Sequence, residues 1–321
     1  MDMFGTTKFR HLVGAAAAAL AVSASAAFAY PDGPVNYIIP FNAGGESDVT
    51  ARYQQPYFKE LTGQDLIVQY LPGAGGAQAW SGLNGYNGDG MTIMGTNLPH
   101  IILQPMLQDP GYQTDDITNV YMFHFTPDAL LVRNESPYQT VQDVIDAAKE
   151  NPGSIIAGGT GTNSANHVAN QLFMNETGVE TTYIPYSGTG ATESGLLGGE
   201  VDVLWGYTTV AARQADSVRM LAVATEERHP LFPDVPTFKE LGINMVGGAY
   251  RGIAVPSSTP EDIRQQLSDL IGKINENPEF RARMEADGYA LIDVPYQEMD
   301  DFMAERKAAY EKVAEQLNSH N

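Results

Sequence analysis

The sequence predicts an α/β protein made of two copies of one plan, each a mostly parallel sheet flanked by helices. Three observations carry this expectation. Short β-rich runs alternate with helical stretches, the pattern of parallel sheets. The order strand, glycine-rich loop, helix recurs, first from Val35 and again from Ser154. Finally, 43% of the 321 residues are hydrophobic and only 18% charged, which suits a buried core and argues against disorder.

The N-terminus reads as an address and not as structure. Lys8 and Arg10 form a basic start, Leu12 to Val22 is an Ala-rich apolar core, and Ala27-Phe28-Ala29 is a small-x-small cleavage site. A bilayer span needs about 20 apolar residues, and Ser23 and Ser25 interrupt a run already too short. Residues 1–29 are therefore expected to be a cleavable signal peptide, with the mature chain starting at Tyr30 in a periplasm.

In the first unit, Val35 to Ile39 is a strand leading into Phe41-Asn42-Ala43-Gly44-Gly45-Glu46-Ser47, and a helix is expected from Asp48 to about Leu61, with a kink at Pro56. Leu66 to Tyr70 is the second strand, Pro72 to Gly76 a second glycine loop, Ala77 to Leu83 a short helix and Met91 to Met94 a third strand. The second unit repeats the order. Strand Ser154 to Ala157 precedes the loop Gly158 to Asn163 and a helix from Ser164 to about Met174; strand Thr182 to Ile184, loop Tyr186 to Gly190, helix Ala191 to Leu197 and strand Val201 to Trp205 follow. Thr140 with Asp143, and Thr237 with Glu240, are capping boxes. A strand near Gly252 to Val255 precedes helices that start at Pro260, Pro278 and about Gln297, and these are expected to pack back on the first unit. The first domain would then be discontinuous, residues 30–125 and 247–321, with 126–246 as the second and crossings near Phe125 and Gly247 as the hinge.

Several chemistries are excluded. Lys and Arg total 18 against 39 Asp and Glu, a formal charge of -21 that repels nucleic acid and anionic membranes alike. Cysteine is absent, so disulfides, thiolate metal sites, a Cys nucleophile and a lipid-modified Cys anchor are all ruled out. None of Ser47, Ser164 and Ser187 has the G-x-S-x-G setting of a hydrolase. His100, His124, His167 and His229 show neither triad nor metal spacing and read as surface or loop residues. Gly159 to Ser164 approaches a dinucleotide fingerprint but lacks its final glycine. No cofactor, metal or catalytic residue is expected.

What remains is anion binding. Loops such as Gly44 to Ser47 and Thr160 to Ser164 place backbone N–H groups and hydroxyls at helix N-termini, where the macrodipole favours negative charge. Two such mouths facing one another make a carboxylate clamp, although either serine could instead be a plain N-cap.

The motifs Ile39-Pro40-Phe41-x-x-Gly44-Gly45-x-x-Asp48-x-x-x-Arg52, Pro72-Gly73-Ala74-Gly75-Gly76 and Met94-Gly95-Thr96-Asn97 resemble the solute receptors of tripartite tricarboxylate transporters, the Bug family. So do Gly161-x-x-Ser164-x-x-His167, Tyr186-x-Gly188, Leu196-Leu197-Gly198-Gly199-x-Val201-Asp202 and Pro233 to Thr237. The resemblance implies a two-lobed, flytrap-like periplasmic binding protein. It would hold a small organic carboxylate between its lobes and deliver it to membrane permease subunits. By the same resemblance the ligand lies against Phe41, Gly44, Gly45, Glu46, Ser47 and Asp48 on one side. Thr160, Gly161, Thr162, Asn163 and Ser164 face it, with Asn97, Tyr186, Gly188, Thr189 and Asp202 completing the cleft. Two alternatives stay open, a ligand-sensing subunit of a two-component signalling system and a secreted hydrolase. Glu46 stands where the family usually has a small residue, Asn163 replaces a glycine and Gly159 a frequent serine. The Glu46 carboxylate could meet a ligand ammonium or hydroxyl, pair with Arg251, or face solvent.

Overall fold

The structure, a computed structural model, describes residues 30–318; the expected leader lies outside the described residues. Strand β1 (Val35–Ile39), helix α1 (Glu46–Thr62), β2 (Leu66–Tyr70), α2 (Ala77–Ser81), β3 (Thr92–Leu98) and α3 (His100–Leu107) form the first unit. Helix α1 starts two residues earlier than its sequence suggests, because its N-cap is Gly45, and Pro56 costs it one backbone bond without ending it. Strand β4 (Thr118–Arg133) then crosses into the second unit. That unit holds α4 (Val141–Glu150), β5 (Ile156–Thr160), α5 (Ala165–Thr177), β6 (Thr182–Tyr186), α6 (Thr189–Gly198), β7 (Val203–Tyr207), α7 (Thr208–Arg213) and β8 (Val218–Val223). Strand β9 (Gly248–Val255) returns, followed by α8 (Glu261–Glu276), α9 (Pro278–Ala286), β10 (Ala290–Pro295) and α10 (Met299–Asn318).

The strands of the repeated units pair in parallel, β1 with β2 and β3, and β5 with β6 and β7. The linking strands β4 and β9 pair antiparallel with each other and with their neighbours. The first ten residues of β4 run beside β9, whereas Asp128 to Arg133 join β7 and β8. Strand β4 thus passes from one sheet to the other at Pro127 and Asp128, beside the start of β9, where the Asp128 N–H donates to the Gly247 carbonyl at 3.0 Å.

Packing is separate on the two sides. Phe58, Trp80, Ile93, Leu267 and Phe280 belong to one apolar cluster that joins α1, α2, β3, α8 and α9. Trp205, Phe173 and Phe238 cluster on one face of the second sheet, and Leu131, Leu196 and Leu204 on its other face. The C-terminal helices therefore complete the first lobe. Each parallel strand of the two units ends at the same seam between the lobes, where open α/β sheets bind ligands.

Candidate functional site

At that seam a small cavity of about 10 Å3, the size of one water, is lined by residues from both lobes. Phe41 and Asn42 follow β1, Asn97 lies near the end of β3 with His100 in the first turn of α3, and Thr160 and Tyr207 end β5 and β7. Gly45, Glu46, Ser47 and Asp48 bring the N-terminus of α1, and Thr189 that of α6. These two helix starts point at one another. Neither has a side-chain cap; in α6 the Ala191 N–H turns back to the Gly188 carbonyl, which leaves the N–H groups of Thr189 and Gly190 without an intrahelical acceptor, as those of Glu46 and Ser47 are in α1. A Cβ added to Gly45 would stand 3.4 Å from the Thr189 N and 3.7 Å from the Gly190 N. A methyl there would fill the space before those N–H groups. Across the rim, the Asn42 N–H donates to the Ser187 carbonyl at 3.3 Å and its amide to the Ser187 hydroxyl at 2.5 Å.

Glu46 is the first helical residue of α1, and its side chain is fully buried. Its carboxylate lies 2.5 Å from Arg251 Nη2 on β9 and accepts from the Thr209 hydroxyl of α7. Of the three possibilities for Glu46, the structure shows the ion pair, so solvent exposure is ruled out. Arg251 is itself 4% exposed, donates to the Thr126 hydroxyl at 3.1 Å and lies 4.8 Å from the Tyr207 ring centre. It thereby ties α1, the crossing strands and the second lobe together. Asp48 is occupied locally, accepting from Gly44 N at 2.8 Å, Arg52 Nε at 3.0 Å and the Tyr70 hydroxyl at 2.7 Å.

The second expected mouth is closed. The Ser164 hydroxyl accepts from His167 N at 3.2 Å and donates to the Thr160 carbonyl at 2.9 Å, which uses it as the N-cap of α5. Asn163, at φ +57°, donates its N–H to His167 Nδ1, and both Thr160 donors go to Asn166 Oδ1. Gly161, Thr162 and Tyr186 line a wider opening of about 510 Å3 outside the cavity, with Phe41 between the two. Gly44 and Gly188 lie just behind the facing helix starts, where a Cβ on Gly188 would meet Asn42 N and Phe41 Cβ at 3.4 Å. Asp202 is elsewhere. It precedes β7 and accepts from the Ile156 N at the start of β5, so it lies about 17 Å, five strand residues, from the carboxyl ends.

The inner end of the cavity is rich in unused polar atoms. Asn97 Oδ1, His100 Nδ1 and Arg251 Nε are buried without a hydrogen-bond partner among the described residues. Burial, with Arg251 nearby, holds the His100 ring down to about 3, so it is neutral at ordinary pH. Burial pushes Asp128 up to about 7, against the Asn166 hydrogen bond and Arg251, while Glu46 raises it further. His100 and His124 are buried and not surface residues, His124 bonding Thr50 at 3.0 Å; each fills a gap in the seam that no local pattern reveals.

Asn42, His100, Tyr207 and Thr209 are the site residues that sequence reasoning did not place there, whereas Arg251 entered it as a possible partner of Glu46. Strand β7 runs two residues past its expected end at Trp205 and passes straight into α7, which brings Tyr207 and Thr209 to the seam. Arg251 left a signal, as the one charged residue in the otherwise uncharged run Gly248 to Val255. Among the described residues, no group of three His, Asp or Glu is placed to hold a metal ion, and no helix is long and apolar enough to cross a membrane.

The family model described as "Tripartite tricarboxylate transporter family receptor" matches residues 50–319. A UPF0065 protein from the gbd 5' region of Cupriavidus necator is 30% identical over 313 residues, 94% of this chain and 95% of that relative. The periplasmic binding protein BugD superposes with a TM-score of 0.85 at 25% identity, covering 90% of this chain and 99% of its own. R. palustris Rpa4515, solved with adipate, gives a TM-score of 0.84 at 26% identity, covering 90% and 98%.

Proposed function

The chain belongs to the tripartite tricarboxylate transporter receptor family, and from that premise we propose that it is a periplasmic receptor for a small organic carboxylate. One observation carries the reading. The uncapped starts of α1 and α6, one from each lobe, face each other across a buried polar cavity at the seam of the two sheets. A ligand carboxylate accepts from both sets of N–H groups, and two macrodipoles stabilise its charge. Phe41, Gly44, Gly45, Glu46, Ser47, Asp48, Asn97, Thr160, Gly188 and Thr189 surround it, while Gly161, Thr162, Tyr186 and Ser187 form the approach. The lobes, residues 30–125 with 247–321 and residues 126–246, close on the ligand by bending β4 and β9 where they cross. The loaded receptor then delivers its carboxylate to membrane permease subunits. No bond is made or broken.

The reading is tested by thermal unfolding against mono-, di- and tricarboxylates. A ligand at 100 times its Kd adds about 2.7 kcal/mol, and each kcal/mol raises Tm by roughly 2 to 4 °C in chains of this size. A cognate acid should raise Tm by several degrees and shrink the radius of gyration in solution scattering. A panel in which no carboxylate moves Tm overturns the reading.

A further inference from the structure

The charge balance inside the cavity narrows the ligand class, on the reading just given. Among the described residues that line it, Arg251 is the one Lys or Arg, and Glu46 already neutralises it. Asp48 has spent both oxygens on Gly44, Arg52 and Tyr70. The helix starts of α1 and α6 can accept one anionic group. A second ligand carboxylate would find no cation that Glu46 has not already neutralised, and it would face the Glu46 oxygens and Asn97 Oδ1, both acceptors, beside the single unpartnered donor Arg251 Nε. Glu46 is 1% exposed, Asn97 2%, and Asn97 Oδ1 has no partner among the described residues. With His100 neutral, no charge there compensates an added anion. An inner end that holds a buried carboxylate and no spare positive charge fits a hydrogen-bond donor instead.

The geometry points to a ligand with one carboxylate and one donating group, an ammonium or a hydroxyl, with Glu46 as the residue that reads the second group. The carboxylate lies at the starts of α1 and α6. The donor meets Glu46 Oε2 and Asn97 Oδ1, and Arg251 keeps Glu46 charged and aimed. Simple di- and tricarboxylates are rejected because the protein supplies its own carboxylate at that place.

Titration calorimetry on residues 30–321 decides this with a four-carbon set: butyrate, succinate, 2- and 4-hydroxybutyrate, and 2- and 4-aminobutyrate. The expected result is that at least one amino or hydroxy acid binds about tenfold or more tightly than both succinate and butyrate, about 1.4 kcal/mol; ammonium and hydroxyl arms tell the two donors apart. Succinate binding as tightly as the best of them overturns the inference and leaves the receptor reading standing. Absence of binding by every acid overturns both. Glu46→Gln should raise succinate affinity about tenfold and weaken the amino or hydroxy acid; an unchanged order of affinities overturns the role of Glu46. The unsubstituted protein alone decides the ligand class if that variant does not fold.

Discussion

Helices α1 and α5 start in similar glycine-rich, serine-containing loops, yet they end in opposite chemical states. At α5, Ser164 stands at the N-cap and its hydroxyl satisfies His167 N, so the serine spends its hydroxyl within the loop. At α1, the N-cap is Gly45, Ser47 falls inside the first turn, and the N–H groups stay free to face α6. A shift of two residues between serine and helix start thus separates a structural cap from a binding mouth. Composition cannot show that shift. The charged partner differs as well: α1 carries Glu46 into the cavity, whereas α5 turns Asn166 toward Thr160 and Asp128.

The contrast is broken most severely at Arg251. Arg251→Met leaves Glu46 buried without its cation, and such losses cost about 3 to 5 kcal/mol. A Tm drop of more than 6 °C is expected, with much of it recovered in the double variant Glu46→Gln, Arg251→Met. Equal melting of the single and double variants would mean that the pair contributes nothing.

Asp128, held by Asn166 at 3.2 Å, tests the α5 side through pH. Its carboxyl is raised by burial from 3.8 to about 7, so the stability it contributes is complete below about pH 4 and is lost as pH rises through 7. Relative to Asp128→Asn, which cannot ionise, the native protein should lose on the order of a few kcal/mol between pH 5 and 8. Parallel Tm curves for the two proteins across that range would remove Asp128 from the pH response.

Gly45→Ala sharpens the comparison with little disturbance of the fold, since Gly45 sits at φ -82°, ψ 174°, open to any residue. Its new methyl reaches the space before Thr189 N, and carboxylate affinity should fall about tenfold, about 1.4 kcal/mol, with Tm nearly unchanged. Calorimetry showing full affinity would move the anion away from α1 and α6. Ser164→Ala is the smallest and opposite case. It should cost about 1 kcal/mol of stability as a lost cap and leave ligand affinity within twofold. A large affinity loss in a folded Ser164→Ala protein would reopen the α5 mouth.

Much of the fold was legible because strands and breakers are local signals. Val35 to Ile39 and Leu66 to Tyr70 announce β1 and β2 through their β-branched and aromatic residues, and the Thr140 to Asp143 box fixes the start of α4. Strand β4 was harder. Its 16 residues serve two sheets, so no single alternation describes them. Helix α3, with Pro105 inside, and β10, ending at Pro295, were not assigned from the sequence, since proline at those places weakens the local signal. For the site, the loop after β1 was found and the α6 start was included through Thr189. The reading by resemblance put Asp202 in the cleft, but a residue that opens a strand cannot line the strand's far end. The Glu46 to Arg251 pair joins residues far apart in sequence, and only the adjacency of β9 to β3 brings them together, with Arg251 opposite Asn97.

That adjacency has a consequence for how the chain comes together during synthesis. Strand β3 is hydrogen-bonded on one side by β1 and on the other by β9, so its outer edge stays unpaired until Gly248 and the residues after it have been made. The intervening second unit closes around β5, β6 and β7, which are near neighbours in sequence. The unit in the middle of the chain can therefore mature first, while the N-terminal half waits with an open edge, a slow, long-range closure that invites wrong pairing with other chains. A nascent chain whose N-terminal part is kept extended until its last quarter is available avoids that hazard.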